Sequence, residues 1–250
     1  MARTWDAGSY DKVGGPMTAM ALAVVDRLEL RGDEVVVDAG CGTGRVTEHL
    51  LERVPHGRVI AVDANPAMVD EARAVLGDRA DVRLADLLEL AVDEPVDAIL
   101  STATFHWVLD HERLFRQLFG VLRPGGQLVA QCGGAGNIVG LLRATEEVVG
   151  RDEWAGFFEG WSRPMRYATP EETAGLLETA GFTDVRCWLQ PHAITPDEPV
   201  EYLGSIPLGA HLDRLPEDRR SAFVQEVAAL LPDPVTVDYV RLNIDARRPL

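Results

Sequence analysis

The sequence contains few cysteines and no apolar run long enough to span a bilayer. Cys41, Cys132 and Cys187 are the three cysteines of 250 residues, and they lie far apart without the close spacing of zinc ligands. An odd, scattered set argues against a disulfide framework and against a metal centre. No signal-peptide pattern precedes the first helical region. We therefore expect a soluble protein of the reducing cytoplasm that holds no metal.

Positive charge is also scarce. The formal net charge is -16 at pH 7, and no cluster of basic residues offsets it locally. A field of this sign repels the phosphate backbone of nucleic acid. The sequence thus disfavours nucleic-acid and membrane partners and leaves a small molecule as the expected substrate.

Short apolar runs alternate with helical patterns along the chain. This alternation predicts a single α/β domain with a doubly wound, Rossmann-like sheet and helical insertions. The predicted strands are 34–39, 58–63, 81–86, 96–101, 127–132, 184–190 and 237–247. We divide the chain into an N-terminal cap (1–30), a core (31–132), a lid insertion (133–168) and a C-terminal part (169–250) that contains a helical insertion (191–234).

Three helices carry clear local signals. Asn65 and Pro66 predict the start of one helix, and the capping box that begins at Thr169 predicts another that ends near Gly181. In the first 30 residues, one helix face is formed by Met17, Met20, Ala21, Val24 and Leu28.

A glycine turn follows the first predicted strand, at Gly40, Gly42 and Gly44. Such a turn lets a ligand approach the backbone. Asp38 lies two residues before it, where its charge would repel a pyrophosphate but attract an ammonium group.

Two further carboxylates follow the next two predicted strands. Asp63 can accept hydrogen bonds from both hydroxyls of a ribose, and Asp86, beside Leu87, can accept from an adenine amino group. Either aspartate alone could equally be a turn or helix cap. The three together indicate a site for an amino-acid-bearing nucleoside.

This set resembles the class I S-adenosylmethionine-dependent methyltransferase family over residues 30 to 132, including the turn 122–126 (Leu-Arg-Pro-Gly-Gly). The resemblance implies a seven-stranded sheet whose last strand is antiparallel and lies between the fifth and sixth. It also implies S-adenosyl-L-methionine as cofactor and S-adenosyl-L-homocysteine as product. The predicted cofactor-binding residues are Tyr10, Asp38, Gly40, Cys41, Gly42, Gly44, Asp63, Ala64, Met68, Asp86, Leu87 and Ser101.

Residues 101–107 (Ser-Thr-Ala-Thr-Phe-His-Trp) and the tail 240–248 resemble the trans-aconitate methyltransferases, which esterify a small polycarboxylate. This favours methyl transfer to a carboxylate oxygen of a trans-aconitate-like acid. Methylation of an oxygen or nitrogen of another metabolite or natural product remains the alternative. A cofactor-binding module without catalysis and a nicotinamide oxidoreductase are two further classes.

His106, just beyond the fourth strand, is the candidate catalytic residue. It would act as a general base for a hydroxyl or amine acceptor, whereas a carboxylate needs no base and His106 would then only line the pocket. Arg163 and Arg166 could bind a carboxylate, or they could be a solvated pair. Tyr10 could face the sulfonium or simply pack. The predicted substrate-binding residues are Trp5, His106, Trp107, Trp161, Arg163, Arg166 and Tyr167.

Overall fold

The computed structural model describes the backbone of residues 15–250 and the side chains of residues 20–250. Seven strands form one sheet in the order β3-β2-β1-β4-β5-β7-β6. The strands are β1 Val35–Ala39, β2 Arg58–Asp63, β3 Asp81–Leu84, β4 Val96–Thr102, β5 Leu122–Gly133, β6 Thr183–Ile194 and β7 Val237–Arg247. The predicted α/β class and seven-stranded sheet are confirmed.

The first five strands are parallel, and β7 pairs antiparallel with both β5 and β6. The central strands are buried on both faces, which explains their runs of β-branched and aliphatic residues. Since β7 is inserted between β5 and β6, it is paired along both edges, and most of its side chains are buried. The antiparallel last strand expected from the family resemblance is confirmed.

Helices cover both faces of the sheet. Helices α1 (Gly15–Val25), α2 (Arg45–Arg53) and α3 (Pro66–Leu76) pack on one face, and α4 (His111–Val121) and α7 (Pro170–Ala180) cover the other. Single 3-10 turns lie at Gly77–Arg79, Leu87–Glu89 and Phe105–Trp107. The parallel strands therefore present their carboxyl ends at one edge, where α/β proteins bind ligands.

Five further helices form a separate apolar body, which we call the helical cluster: α5 (Val139–Val149), α6 (Asp152–Ala155), α8 (Pro199–Ser205), α9 (Gly209–Leu212) and α10 (Glu217–Ala229). Its core contains Trp154 and Phe223, whose rings meet edge to face with centroids 5.3 Å apart. It packs against the start of β7 through Val237 and Tyr239. Two segments distant in sequence thus share one apolar core.

The predicted helix caps are confirmed. The Asn65 side chain accepts hydrogen bonds from the amides of Ala67 and Met68, and Thr169 accepts from the amide of Glu172. On α1 and the turn after it, Met20, Ala21, Val24 and Leu28 are buried as expected, whereas the Met17 side chain lies outside the described residues.

Three strand boundaries were predicted wrongly. Strand β3 ends at Leu84 instead of residue 86, and β6 continues to Ile194 instead of ending at residue 190. Strand β5 begins at Leu122 instead of residue 127, because Leu122 already pairs with Val96 of β4 across a register shift. Between residues 15 and 250, no helix is long and apolar enough to cross a membrane.

Candidate active site

Asp38 is the most deeply placed carboxylate of the site. It is fully buried at the end of β1, where Oδ2 accepts a hydrogen bond of 2.7 Å from the hydroxyl of Thr47. Oδ1 is also buried and has no hydrogen-bond partner among the described residues. Burial, together with the nearby charge of Asp63, raises the pKa of Asp38 to about 6, although the hydrogen bond from Thr47 opposes the shift. An unpaired buried oxygen is a strong acceptor for a cationic donor such as an ammonium group.

The glycine turn requires glycine for two different reasons. Gly40, Gly42 and Gly44 all have positive φ angles, of 85°, 54° and 85°. A Cβ on Gly40 would also lie 2.1 Å from the hydroxyl of Thr104, whereas a Cβ on Gly42 would meet no atom within 4 Å. Gly42 therefore borders open space, and Cys41 beside it is a buried, unpaired thiol whose pKa is raised by burial.

Asp63 holds the glycine turn in place. Its two oxygens accept hydrogen bonds from the amides of Gly42, at 3.0 Å, and Asn65, at 2.8 Å. Burial raises the pKa of Asp63, although these amide contacts oppose the shift. Each carboxylate oxygen has two lone pairs, so Asp63 can still accept ribose hydroxyls.

The remaining predicted cofactor residues divide into two groups. Met68 and Leu87 are buried and apolar, next to the ends of β2 and β3, whereas Ala64 is exposed. Ser101 is buried and donates a 2.7 Å hydrogen bond to the carbonyl of Ala39, so its hydroxyl joins β4 to β1. Tyr10 and Trp5 lie outside the described residues.

Asp86 has a local structural contact. Its Oδ1 accepts from the amide of Leu88 at 2.9 Å and caps the 3-10 turn, and the residue is exposed. Because β3 ends at Leu84, Asp86 lies in the following loop and does not end the strand as predicted. The structure therefore shows Asp86 as a cap of this turn, which was one of the two roles expected from the sequence.

These residues fit the predicted cofactor. Asp38 offers an unpaired anionic oxygen for the ammonium group, Asp63 offers acceptors for the ribose, and Met68 and Leu87 offer apolar contacts for the adenine. No group of three metal-ligating side chains occurs in the part of the chain that the structure describes.

The loop after β4 connects this region to a second group of side chains. Ala103 has a φ of 56°, a conformation that non-glycine residues rarely adopt, and its amide donates to the carbonyl of Gln131. Thr104 then donates a 3.2 Å hydrogen bond to the carbonyl of Gly40. The strained turn thereby joins the loop that contains His106 to the glycine turn through the Thr104–Gly40 contact.

His106 is buried and uncharged. Burial, together with the charges of Arg241, His111 and Arg163, lowers its pKa to about 3. Its Nδ1 accepts a 3.3 Å hydrogen bond from the amide of Gly133. The rings of Trp107 and Tyr167 lie against it, with centroids at 5.3 and 5.9 Å. Such a histidine binds protons too weakly to serve as a base at neutral pH.

Arg163 and Tyr167 lie near His106. The guanidinium of Arg163 lies 5.0 Å from the centroid of the Tyr167 ring, and its buried Nη1 has no hydrogen-bond partner among residues 15–250. Trp161 is half-buried, farther toward the helical cluster.

The pairing of Arg163 with Arg166 as two carboxylate ligands is not what the structure describes. Arg166 forms an ion pair with Glu172 and donates a 3.0 Å hydrogen bond to the carbonyl of Leu109. Its charge is thus already balanced by a surface carboxylate. Only Arg163 of the two has an unpaired buried donor.

The structure adds two residues that the sequence analysis did not select. Arg241, on β7, is 4% exposed, its Nε has no partner, and no acidic side chain in the described ranges pairs with it. His211, on α9, is buried with an unpartnered Nδ1, and its ring lies 4.9 Å from that of Trp161. Burial, followed by the charge of Arg163, lowers the pKa of His211 to about 4.

A signal for Arg241 existed in the sequence, because it lies in the tail 240–248 that resembles the trans-aconitate methyltransferases. In the structure, Arg241 pairs in register with Gly133 at the carboxyl end of β5. Arg163, Arg241 and the neutral histidines His106 and His211 form a cationic group, in which the charges of the arginines lower the pKa values of the histidines.

Comparison with known proteins agrees with this geometry. Residues 37–130 match the family model described as a methyltransferase domain. A trans-aconitate 2-methyltransferase of Azoarcus sp. (strain BH72) is 39% identical over 128 residues, 51% of this chain and 50% of the relative. The chain spans about half the length of this relative and of two other trans-aconitate 2-methyltransferases that it matches.

Two further comparisons extend over nearly the whole chain. A trans-aconitate 2-methyltransferase of Variovorax paradoxus (strain S110) is 31% identical, with 95% of this chain and 93% of the relative covered. A Haemonchus contortus phosphoethanolamine N-methyltransferase 2 structure superposes with a TM-score of 0.66 at 16% identity, covering 98% of this chain and 57% of that one. The second comparison shows a shared fold. From the near full-length match to the Variovorax relative, together with the sheet order and the matched domain, we conclude that the chain belongs to the class I S-adenosylmethionine-dependent methyltransferase family.

Proposed function

We propose that this protein transfers the methyl group of S-adenosyl-L-methionine to a carboxylate oxygen of a small polycarboxylic acid of the trans-aconitate type. One observation carries the choice of acceptor: Arg163 and Arg241 present buried donors without an acidic partner among residues 15–250. A buried, unpaired cation is costly in free energy, so the pocket is complementary to an anion that the protein itself does not supply.

The protonation states around the pocket support the same acceptor. His106 and His211 have pKa values lowered to about 3 and about 4, so both are neutral at physiological pH. A hydroxyl or amine acceptor would have to lose a proton to a base, which these residues do not provide. A carboxylate is already ionised and needs no base.

The chemistry requires positioning more than covalent help. The carboxylate oxygen forms a bond to the methyl carbon while the carbon–sulfur bond breaks, and the electron pair stays on sulfur. Anion and sulfonium neutralise each other along this path, so exclusion of water accelerates the reaction. The aromatic rings of Trp161 and Tyr167 lie where they could exclude water.

The names of the relatives support the proposal. Two of those compared are called trans-aconitate 2-methyltransferases, and the segments that suggested this class in the sequence, 101–107 and 240–248, contain His106 and Arg241. A module that only bound the cofactor would not need the buried, unpaired donors of Arg163 and Arg241.

A direct test supplies methyl-labelled cofactor with a panel of di- and tricarboxylic acids, and with matched amines and alcohols. We expect base-labile labelled esters from the acids only. Labelled amines or ethers would favour the alternative of another O- or N-methyltransferase. Tight binding of S-adenosyl-L-homocysteine without any turnover would favour a non-catalytic module.

Replacing Arg241 tests the anionic acceptor. We expect Arg241→Gln to raise KM for the acid about 30-fold or more, because loss of a buried charge contact costs about 2 to 5 kcal/mol. The dissociation constant of S-adenosyl-L-homocysteine should stay unchanged. The control is Arg143→Gln, which removes an exposed arginine of α5 and should alter neither value. Equal KM values in the two variants would contradict an acceptor carboxylate at Arg241.

A further inference from the structure

We propose that His106 is a fixed hydrogen-bond donor, locked as the Nε2–H tautomer by the backbone amide of Gly133, and positions the acceptor without taking a proton from it. This inference rests on the proposed function for the identity of the acceptor. The tautomer itself can be tested without any substrate.

The contact with Gly133 determines which ring nitrogen carries the proton. Gly133 is the last residue of β5, and its amide donates to Nδ1 of His106 at 3.3 Å. An amide can only donate, so Nδ1 must keep its lone pair, and the single proton of a neutral imidazole then belongs to Nε2.

The surroundings keep the ring neutral. Arg241 on β7, Arg163 before α7 and His111 on α4 all act against a positive charge on His106. Tyr167 and Trp107 pack on the ring, and no carboxylate among the side chains of residues 20–250 contributes a favourable charge to it. Nε2 makes no hydrogen bond to any residue of the described range 15–250 and is therefore available to a ligand.

The neutral Nε2–H group can serve the methyl transfer in one way. A hydrogen bond to the attacking lone pair would weaken the nucleophile, so the donor must bind the other oxygen of the same carboxylate. That oxygen becomes the carbonyl oxygen of the ester and can accept the same hydrogen bond in the product. No proton changes place, and the electron pair of the broken carbon–sulfur bond remains on sulfur.

Two isosteric variants separate a donor from a base. The amide nitrogen of His106→Gln can occupy the position of Nε2, whereas the oxygen of His106→Asn can accept from Gly133 but leaves no donor at that position. We expect His106→Asn to lower kcat/KM for the acid about 10- to 100-fold, and His106→Gln to stay within about fivefold of wild type. S-adenosyl-L-homocysteine affinity should be unchanged in both.

The pH profile provides a second readout. With saturating cofactor, kcat/KM for the acid should show no ionisation of His106 between pH 6.5 and 8.5, and the His106→Gln profile should have the wild-type shape. Equal large losses in both variants, with a wild-type basic limb that both lack, would overturn the donor role and assign a base.

Nuclear magnetic resonance tests the tautomer in the unmodified protein. Two-bond proton–nitrogen correlations distinguish protonated from unprotonated ring nitrogens, and the His106 signals are those missing from the His106→Gln spectrum. We expect a proton on Nε2 alone from pH 5 to 8. A proton on Nδ1, or an imidazolium at pH 6, would refute the inference even if the acid is the correct acceptor. Conversely, failure of the acid panel would leave this spectrum unchanged.

Discussion

Asp38 carries its charge at a position that solvent does not reach. Its pKa is raised from 3.8 to about 6 by burial, and only Thr47 among the described side chains donates a hydrogen bond to it. Because the folded-state pKa lies above the unfolded value, ionisation of Asp38 destabilises the ligand-free protein. This cost is absent below about pH 4, grows as the pH rises to about 6, and then stays constant.

We therefore expect Asp38→Asn to stabilise the ligand-free protein at pH 7 by up to about 2 to 3 kcal/mol, and to have little effect at pH 4. Denaturant melts at the two pH values measure this. A lower stability of the variant at pH 7 would show that the carboxylate is not strained in the fold.

The same group should make cofactor binding depend on pH. An ammonium group needs the ionised carboxylate, so the affinity for S-adenosyl-L-homocysteine should fall about tenfold per pH unit below pH 6 and be constant above it. Calorimetry in buffers of different ionisation enthalpy should detect proton release on binding near pH 6. Asp38→Asn should bind weakly at every pH, and retention of the wild-type slope would exclude Asp38 as the origin.

Gly40 and Gly42 differ in what surrounds them, which allows a matched comparison. Gly40→Ala should prevent normal folding, because its methyl group would overlap the Thr104 side chain. Gly42→Ala should fold with a loss of about 1 to 2 kcal/mol from the left-handed backbone, but should bind cofactor poorly since the methyl enters open space beside Asp38. Thermal melts with and without S-adenosyl-L-homocysteine separate the two effects.

A neutral control exists for these glycine variants. Gly120 lies on α4, and an added Cβ there would meet no atom within 4 Å. Gly120→Ala should stabilise the protein by about 0.5 to 1 kcal/mol and leave cofactor binding intact. Equal cofactor affinity in Gly42→Ala would contradict the placement of the ligand at this turn.

At the level of elements, a partly buried group of side chains joins α6 to α10 in the helical cluster, and we call it the clamp. Trp154 on α6 is fully buried, and its indole nitrogen donates a 3.0 Å hydrogen bond to Glu226 on α10. Arg151 donates to the same carboxylate oxygen at 2.7 Å. The clamp fixes two chain segments that contribute Trp161 and His211 to the acceptor-side pocket.

We expect Trp154→Phe to raise KM for the acceptor and to leave cofactor affinity unchanged, because the lost hydrogen bond loosens only the helical cluster. The stability loss should be about 1 to 3 kcal/mol, from the lost hydrogen bond and the smaller ring in a buried position. Steady-state kinetics with denaturant melts measure both. Phe119→Leu, which disturbs the edge contact with Phe182 behind the sheet, is the control and should lower stability without changing KM. A similar KM rise in both would indicate a global effect.

Most elements could be predicted because their signals are local. Helix α3 is specified by Asn65, Pro66 and its apolar stripe, and β1, β2 and β4 by buried aliphatic runs. The end of β3 depends instead on its neighbour: β2 stops at Asp63, which pairs with Leu84, so residue 86 has no strand to pair with.

The extension of β6 likewise depends on a partner distant in sequence. The predicted strand ended at residue 190, but β7 offers pairing partners as far as Val237, opposite Ile194. Proline is tolerated there because β6 is an edge strand. For the candidate site, side chains next to strand ends were selected from sequence, whereas Arg241 and His211 were missed because only long-range packing brings them to the pocket.

At the scale of the whole molecule, the net charge of -16 opposes the approach of an anionic acceptor. Long-range repulsion is screened by salt, with a Debye length that falls from about 30 Å at 0.01 M to about 8 Å at 0.15 M. With saturating cofactor, kcat/KM for a tricarboxylic acid should therefore increase severalfold over this range. A monocarboxylic analogue should respond less, and a decrease for the tricarboxylic acid would show that local cations dominate its capture.

The placement of β7 between β5 and β6 has a consequence for protein synthesis. Arg241 reaches the pocket only when this final strand has joined the sheet. A nascent chain that has emerged through residue 230 already contains Asp38, the glycine turn and Asp63. The residues proposed to bind the cofactor can therefore come together on the ribosome. The group of side chains around Arg241 cannot, because it requires β7 to have paired with β5.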